Sequence, residues 1–157
     1  MKKKKQVKIC LLASSGGHYE QMMLLKPLLD RFGGFVLTER TAYSVSEPGV
    51  KARYLIQVNR KEPLCIPKVI ANTAISLWAL AVERPNVVIS TGAMATIPMC
   101  LLMKLFGGKL IFIESFAKST SPTVSGKFLQ RFADRCYVQW PSMLEFYPDA
   151  VCLGGIY

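Results

Sequence analysis

At 157 residues the chain is long enough for one domain with a real core, and no internal repeat, low-complexity tract or linker divides it. Its hydrophobic share of 51% exceeds what a solvated sphere of this size needs, so a partner or a bilayer is expected to cover some apolar surface. The formal charge of +10 invites a nucleic-acid reading, but five of the twenty basic residues fall in the first eight positions, and the rest are scattered without an RNA-binding motif or zinc-finger spacing.

Residues 1–6, with Lys2, Lys3, Lys4 and Lys5, read as a basic tail suited to an anionic membrane surface, and residues 7–157 as a single domain. The apolar run 7–13 is too short to span a membrane and reads as a buried strand. Ser14, Ser15, Gly16, Gly17 and His18 follow, then Met22, Leu25, Leu28, Leu29 and Phe32 at the spacing of one helix, kinked by its interior Pro27. Further strands are expected at 35–38, 53–58, 87–90, 109–113, 136–138 and 150–153. Helices are expected from about Ile66 to Val82, from Ala93 to Phe106, over 124–134 with Val124, Phe128 and Phe132 on one stripe, and in a short turn opened by Pro141. This alternation predicts an α/β fold, a Rossmann-like parallel sheet with helices on both faces. Ligands of such sheets gather beyond the carboxyl ends of the strands, where three polar turns converge: 14–18, 91–93 and Glu114-Ser115.

The Gly16-Gly17 pair either makes a tight turn or lets a ligand approach the backbone at a helix start. Neither the dinucleotide fingerprint nor the P-loop is present. His18 is the lone histidine, which excludes a histidine-rich metal site, and no metal or other cofactor is expected. It either packs locally or faces substrate as a polar group or general base. A stand-alone small hydrolase using His18 and Ser15 is one alternative function, although the G-x-S-x-G elbow is lacking; a basic nucleic-acid-binding module is another. Glu114 suits a hydrogen-bonding or acid/base role, or is a solvated carboxylate near Lys118. Ser125-Gly126-Lys127 reads as helix surface. The five cysteines form no C-x-x-C pair and read as reduced core thiols of a cytosolic protein.

Segment 63–82 tempts a transmembrane reading, but Pro67, Lys68, Asn72, Thr73 and Ser76 interrupt it. A mostly buried helix with an apolar strip near Trp78 is expected instead, with Arg60, Lys61 and Lys68 meeting anionic headgroups at its start. The bland alternative is an ordinary core helix. Trp140, with Ile156 and Tyr157, reads either as a partner-interface anchor or, for the indole, as core filler.

Several stretches together resemble a known family: Ser-Ser-Gly-Gly-His (14–18) with Glu20-Gln21-Met22, Ser90-Thr91-Gly92-Ala93, Ile113-Glu114-Ser115-Phe116-Ala117, and Ser125-Gly126-Lys127 with Phe132-Ala133-Asp134 leading to Tyr137-Val138-Gln139-Trp140-Pro141. They are similar to the membrane-anchoring subunit of the two-chain N-acetylglucosaminyltransferase that makes dolichol-linked chitobiose, and to its bacterial capsule and exopolysaccharide relatives. More distantly, the chain resembles the N-terminal half of the peptidoglycan lipid N-acetylglucosaminyltransferase. The resemblance implies the N-terminal half of a GT-B glycosyltransferase, which binds a polyprenyl-diphosphate-linked acceptor while a catalytic partner subunit supplies the UDP-sugar donor. It places Ser14, Ser15, Gly16, Gly17 and His18 beside the acceptor diphosphate, with Thr91, Gly92, Glu114 and Ser115 as the other wall. The eukaryotic relatives carry an N-terminal membrane-spanning helix, whereas this sequence enters its first strand directly after Met-Lys-Lys-Lys-Lys. Attachment is therefore expected to be peripheral, on the cytoplasmic face of the plasma membrane.

Overall fold

The computed structural model describes residues 7–42 and 47–157. The basic tail with Lys2, Lys3, Lys4 and Lys5 lies outside the described residues. Seven parallel strands form one sheet: β1 (Ile9–Ala13), β2 (Gly34–Arg40), β3 (Ala52–Ile56), β4 (Val87–Ser90), β5 (Lys109–Ile113), β6 (Arg135–Val138) and β7 (Val151–Cys152). Their order in the sheet is β3-β2-β1-β4-β5-β6-β7. The chain therefore winds outward from β1 in one direction, then crosses back to β4 and winds in the other. The reversal puts the topological switch point between β1 and β4, which pair from Ile9 with Val87 to Leu12 with Ser90.

Side-chain alternation along β1 divides the core in two. Cys10 and Leu12 face Met99, Met103, Leu129 and Met143 on one side of the sheet. Ile9, Leu11 and Ala13 face Met22 and Leu29 on the other. Helices α1 (Gly17–Met23) and α2 (Lys26–Phe32) cover that second face. Helices α3 (Cys65–Glu83), α4 (Ile97–Leu105) and α5 (Val124–Leu129) cover the first, with a 3-10 turn at Pro141–Glu145. The expected Rossmann-like sheet, helices on both faces, is what forms.

Several elements differ from the sequence expectation. The single kinked helix is two, broken at Leu24-Leu25, because Pro27 opens α2 at its first turn, where its missing N–H costs nothing. The helix expected over 124–134 stops at Leu129, and Val124, Phe128 and Phe132 point outward, the two rings 5.2 Å apart. Ser125 and Gly126 are buried rather than on the surface; only Lys127 of that triplet is exposed.

The largest difference is α3, expected to be mostly buried. Its inward face is largely polar: Asn72, Ser76 and Glu83 are buried with Ala79, and Ile75 and Leu80 pack on the core beside them. Its apolar residues Ile66, Ile70, Leu77, Trp78 and Val82 are exposed, Ile66 by 72% and Ile70 by 65%. Asn72 turns inward because it pairs with the edge of the sheet, accepting from the Ile56 N–H and donating to its carbonyl, each at 2.8 Å. Glu83 turns inward because Lys8, Lys51 and Arg53 meet it there. Among the described residues α3 is the one helix long and apolar enough to cross a membrane, yet it is also the crossover that joins β3 to β4.

Candidate functional site

The loop after β1 is the hub of the ligand edge, and it separates three cavities. On one side lies a cavity of about 430 Å³ lined by Ser14, His18, Gly92 and Ser125, with Arg60 and Lys118. On the other side Ser15 and Gly16 border a larger hollow of about 690 Å³. Gly17 and His18 share a third, of about 290 Å³, with Ser115, Phe116 and Tyr157. Of the residues expected at the site, Ser14, Ser15, Gly16, Gly17, His18, Gly92 and Ser115 border these cavities, distributed around the loop rather than along one wall.

Gly92 is the turn that closes the central cavity. It has φ +84°, and a Cβ there would press into the Phe112 ring at 2.8 Å. Its N–H donates to Ser90 Oγ at 3.1 Å, which holds the turn flat against β4. Thr91 is buried beside it and lines none of the three cavities; its Oγ1 has no hydrogen-bond partner.

His18 is half-buried, and its Nδ1 is buried without a hydrogen-bond partner. No serine hydroxyl or carboxylate therefore orients the ring through that nitrogen, as a hydrolytic triad would require. Burial lowers the His18 pKa below its ordinary value, and the charges of Glu114 and Glu39 offset this only in part. Burial thus favours the neutral ring.

Glu114 was expected on the cleft wall and is instead turned into the molecule. It is 1% exposed and accepts hydrogen bonds from the Ser115 N–H (2.8 Å), the Thr123 N–H (3.0 Å), the Thr123 hydroxyl and the Tyr147 hydroxyl. Its carbonyl accepts from Gln139 Nε2 at 2.8 Å. A carboxylate so fully engaged anchors the loop 115–123 and the start of α5. Gly126 fits under it because a Cβ there would collide with Tyr147, Glu114 and Thr123.

The interface candidates are drawn inward. Trp140 is half-buried against Phe116, with ring centroids 4.9 Å apart, and its Nε1 donates to the Phe116 carbonyl at 2.7 Å. Ile156 packs on the core, and its N–H donates to Gln139 at 2.9 Å. Tyr157 stays exposed, edge-on to Phe116 at 5.0 Å, and borders the His18 cavity. Lys68 pairs with Glu62, and Trp78 is half-exposed under the Arg53 guanidinium at 5.0 Å.

Arg60 and Lys118 are the residues that sequence reasoning did not place at the site. Arg60 Nη2 donates to Ser125 Oγ at 3.1 Å, across 65 positions of chain. No motif links two residues so far apart. Among the described residues no three His, Cys, Asp or Glu side chains gather as metal ligands.

The profile of the family described as "Oligosaccharide biosynthesis protein Alg14 like" matches residues 50–156. The chain belongs to this family. The Alg14-like chain is 30% identical to the "UDP-N-acetylglucosamine transferase subunit alg14" of Schizosaccharomyces pombe over 98% of its own length and 85% of that relative's. It is 31% identical to the human ALG14 subunit over 57% of its own length, and that match covers 46% of the human protein. For the mouse ALG14 subunit the covered share of the relative is 36%. In fold, the Alg14-like chain matches MurG of Acinetobacter baumannii with a TM-score of 0.71 at 16% identity, over 87% of this chain and 42% of that one. A UDP-GlcNAc 2-epimerase from Neisseria meningitidis gives a TM-score of 0.71 at 11% identity, over 96% of this chain and 47% of that one. The architecture is thus the N-terminal half of a GT-B fold.

Proposed function

We propose that this Alg14-like chain is the accessory subunit of a two-component UDP-sugar glycosyltransferase of lipid-linked oligosaccharide, capsule or exopolysaccharide synthesis. It binds a polyprenyl-diphosphate-linked sugar and recruits the reaction to the cytoplasmic face of the plasma membrane, while a catalytic partner subunit holds the UDP-sugar. The relatives named as transferase subunits support this division of labour. The observation that carries it is the central cavity, where Arg60 and Lys118 face Ser14, His18 and Gly92 at the switch point. Two cations beside a backbone turn suit a diphosphate, because charge-assisted bonds to phosphate oxygens are roughly twice as strong as neutral ones. His18 lines the same cavity, and burial favours its neutral form, which suits a group that accepts a proton from an acceptor hydroxyl.

Recruitment rests on α3. Its outward stripe from Ile66 to Val82 is about 24 Å long at 1.5 Å per residue, and Arg60 and Lys68 lie near its cleft end. Such a face enters the headgroup boundary of a bilayer lying flat, while its polar side remains locked to the sheet. Docking in this way brings the lipid of the acceptor alongside the cavity.

A transfer assay tests the whole reading. The purified chain, UDP-N-acetylglucosamine and a short-chain polyprenyl-diphosphate N-acetylglucosamine should give no product. Co-expression with the catalytic chain should give it, and Arg60→Ala should then raise the acceptor KM at least tenfold. Transfer by the purified chain alone would refute the division of labour.

A further inference from the structure

The hollow of about 690 Å³ on the far side of the Ser15-Gly16 turn has the opposite character to the cationic cavity. Among the described residues its lining contains Glu20, Glu39 and Glu47 and no lysine or arginine. Tyr19 and Tyr54 contribute aromatic rings, and Gln57 an amide. Thr38, 4% exposed near the end of β2, is one of its lining residues, and the Thr38 hydroxyl is buried without a hydrogen-bond partner. A buried hydroxyl left unpaired is costly, and one on a residue of a cavity wall is placed to gain a partner from a ligand there.

We propose that this hollow is a subsite for the uncharged sugar ring of the acceptor, distinct from the cationic cavity that takes its diphosphate. The inference rests on the acceptor-binding reading above. A pyranose presents hydroxyls that donate to carboxylates and C–H faces that lie against aromatic rings; Glu20, Glu47, Tyr19 and Tyr54 offer both. The same carboxylates repel phosphate and uronate, whereas Arg60 and Lys118 on the other side attract phosphate. Charge thereby orients the acceptor: diphosphate on one side of the Ser15-Gly16 turn, neutral sugar on the other. Glu39 borders both cavities and is fixed by the Val58 N–H at 3.0 Å, so it forms the partition.

Affinity measurements on the full chain test this with three water-soluble probes: citronellyl diphosphate, the same compound carrying N-acetylglucosamine, and the same compound carrying glucuronic acid. The neutral sugar should tighten binding about fivefold or more over bare diphosphate, and the uronate should weaken it. Thr38→Val should abolish the gain from the sugar while leaving bare-diphosphate affinity unchanged. It should also leave the thermal midpoint unchanged or higher, since it removes an unpaired buried hydroxyl. A purely structural role for Thr38 would not separate these readouts. Tyr54→Ala should likewise remove the gain, and Glu47→Gln should relieve the penalty on the uronate. If the probes bind in an Arg60-dependent manner but the sugar brings no gain, or the gain survives Thr38→Val and Tyr54→Ala, the sugar subsite is wrong and the diphosphate site stands. If no probe shows Arg60-dependent binding, the acceptor-binding reading itself falls, and the subsite with it.

Discussion

His18 is the one imidazole of the sequence, so its titration can be followed without assignment ambiguity. Burial disfavours its charged form, and the midpoint should lie below the ordinary 6.5. An anion bound beside Arg60 and Lys118 would stabilise the imidazolium and move the midpoint up. An NMR pH titration with and without inorganic diphosphate should show this rise, and Arg60→Ala should abolish it. A midpoint unmoved by saturating diphosphate would separate His18 from the anion. Glu114 carries the complementary lesson: its oxygens are spent on Ser115, Thr123 and Tyr147, so it positions the loop that brings Lys118 to the cavity. Glycine at 126 is what lets α5 begin directly beneath that carboxylate.

At the scale of the element, α3 inverts the usual arrangement of an amphipathic helix. Asn72, Ser76 and Glu83 face the domain beside Ile75, Ala79 and Leu80, while Ile66, Ile70, Leu77, Trp78 and Val82 face out, so the two faces should respond differently to substitution. Ile70→Ser with Leu77→Ser touches exposed positions and should change stability by less than about 0.5 kcal/mol each. The same pair should reduce sedimentation with anionic vesicles at least tenfold. Asn72→Ala removes both bonds to the Ile56 backbone and should cost about 1–3 kcal/mol, because the N–H and the carbonyl of Ile56 both lose their partner at the edge of the sheet. Vesicle binding that survives the double serine variant would move recruitment away from α3.

At the scale of the whole molecule, Glu83 ties the two ends of the first winding together. It is buried where α3 ends and receives Lys8 before β1, Lys51 before β3 and Arg53 within β3. Burial by itself would raise its pKa, but the hydrogen bonds from Lys51, Lys8 and Arg53 outweigh it and hold the carboxyl at about 2. Asp134 is held well below the usual carboxylate range in the same way: burial raises it, and Lys104, the Leu110 N–H and Lys109 overcome that. Between the ordinary carboxyl value of 4.5 and about 2, the unfolded chain binds more protons than the folded one. Stability from Glu83 is therefore complete above about pH 4.5 and lost as the pH falls toward 2. Glu83→Gln should lower stability at pH 7 by roughly 2–3 kcal/mol, discounted for the partly exposed lysines, and should flatten the acid limb of the melting profile. An unchanged acid limb would show that the cluster does not govern acid unfolding.

The strand-forming runs at 9–13, 87–90 and 109–113 are short, apolar and bounded by glycine or polar turns, and local patterning alone is enough to place them in a parallel sheet. The polar turns at their carboxyl ends follow from the same pattern, so the region of the site was legible too. Pro27 was misread because local sequence does not distinguish a proline inside a helix from one that opens the next. The inversion of α3 was hidden for a deeper reason. A hydropathy pattern says that two faces differ, but not which one meets the sheet; the backbone of Ile56 and the cations around Glu83 decided that. The bond of Arg60 to Ser125, the cavity that Tyr157 shares with His18 and the hollow behind Ser15 all join residues distant in the chain. Only the winding order of the sheet, set by which strands pair, brings such residues into one place.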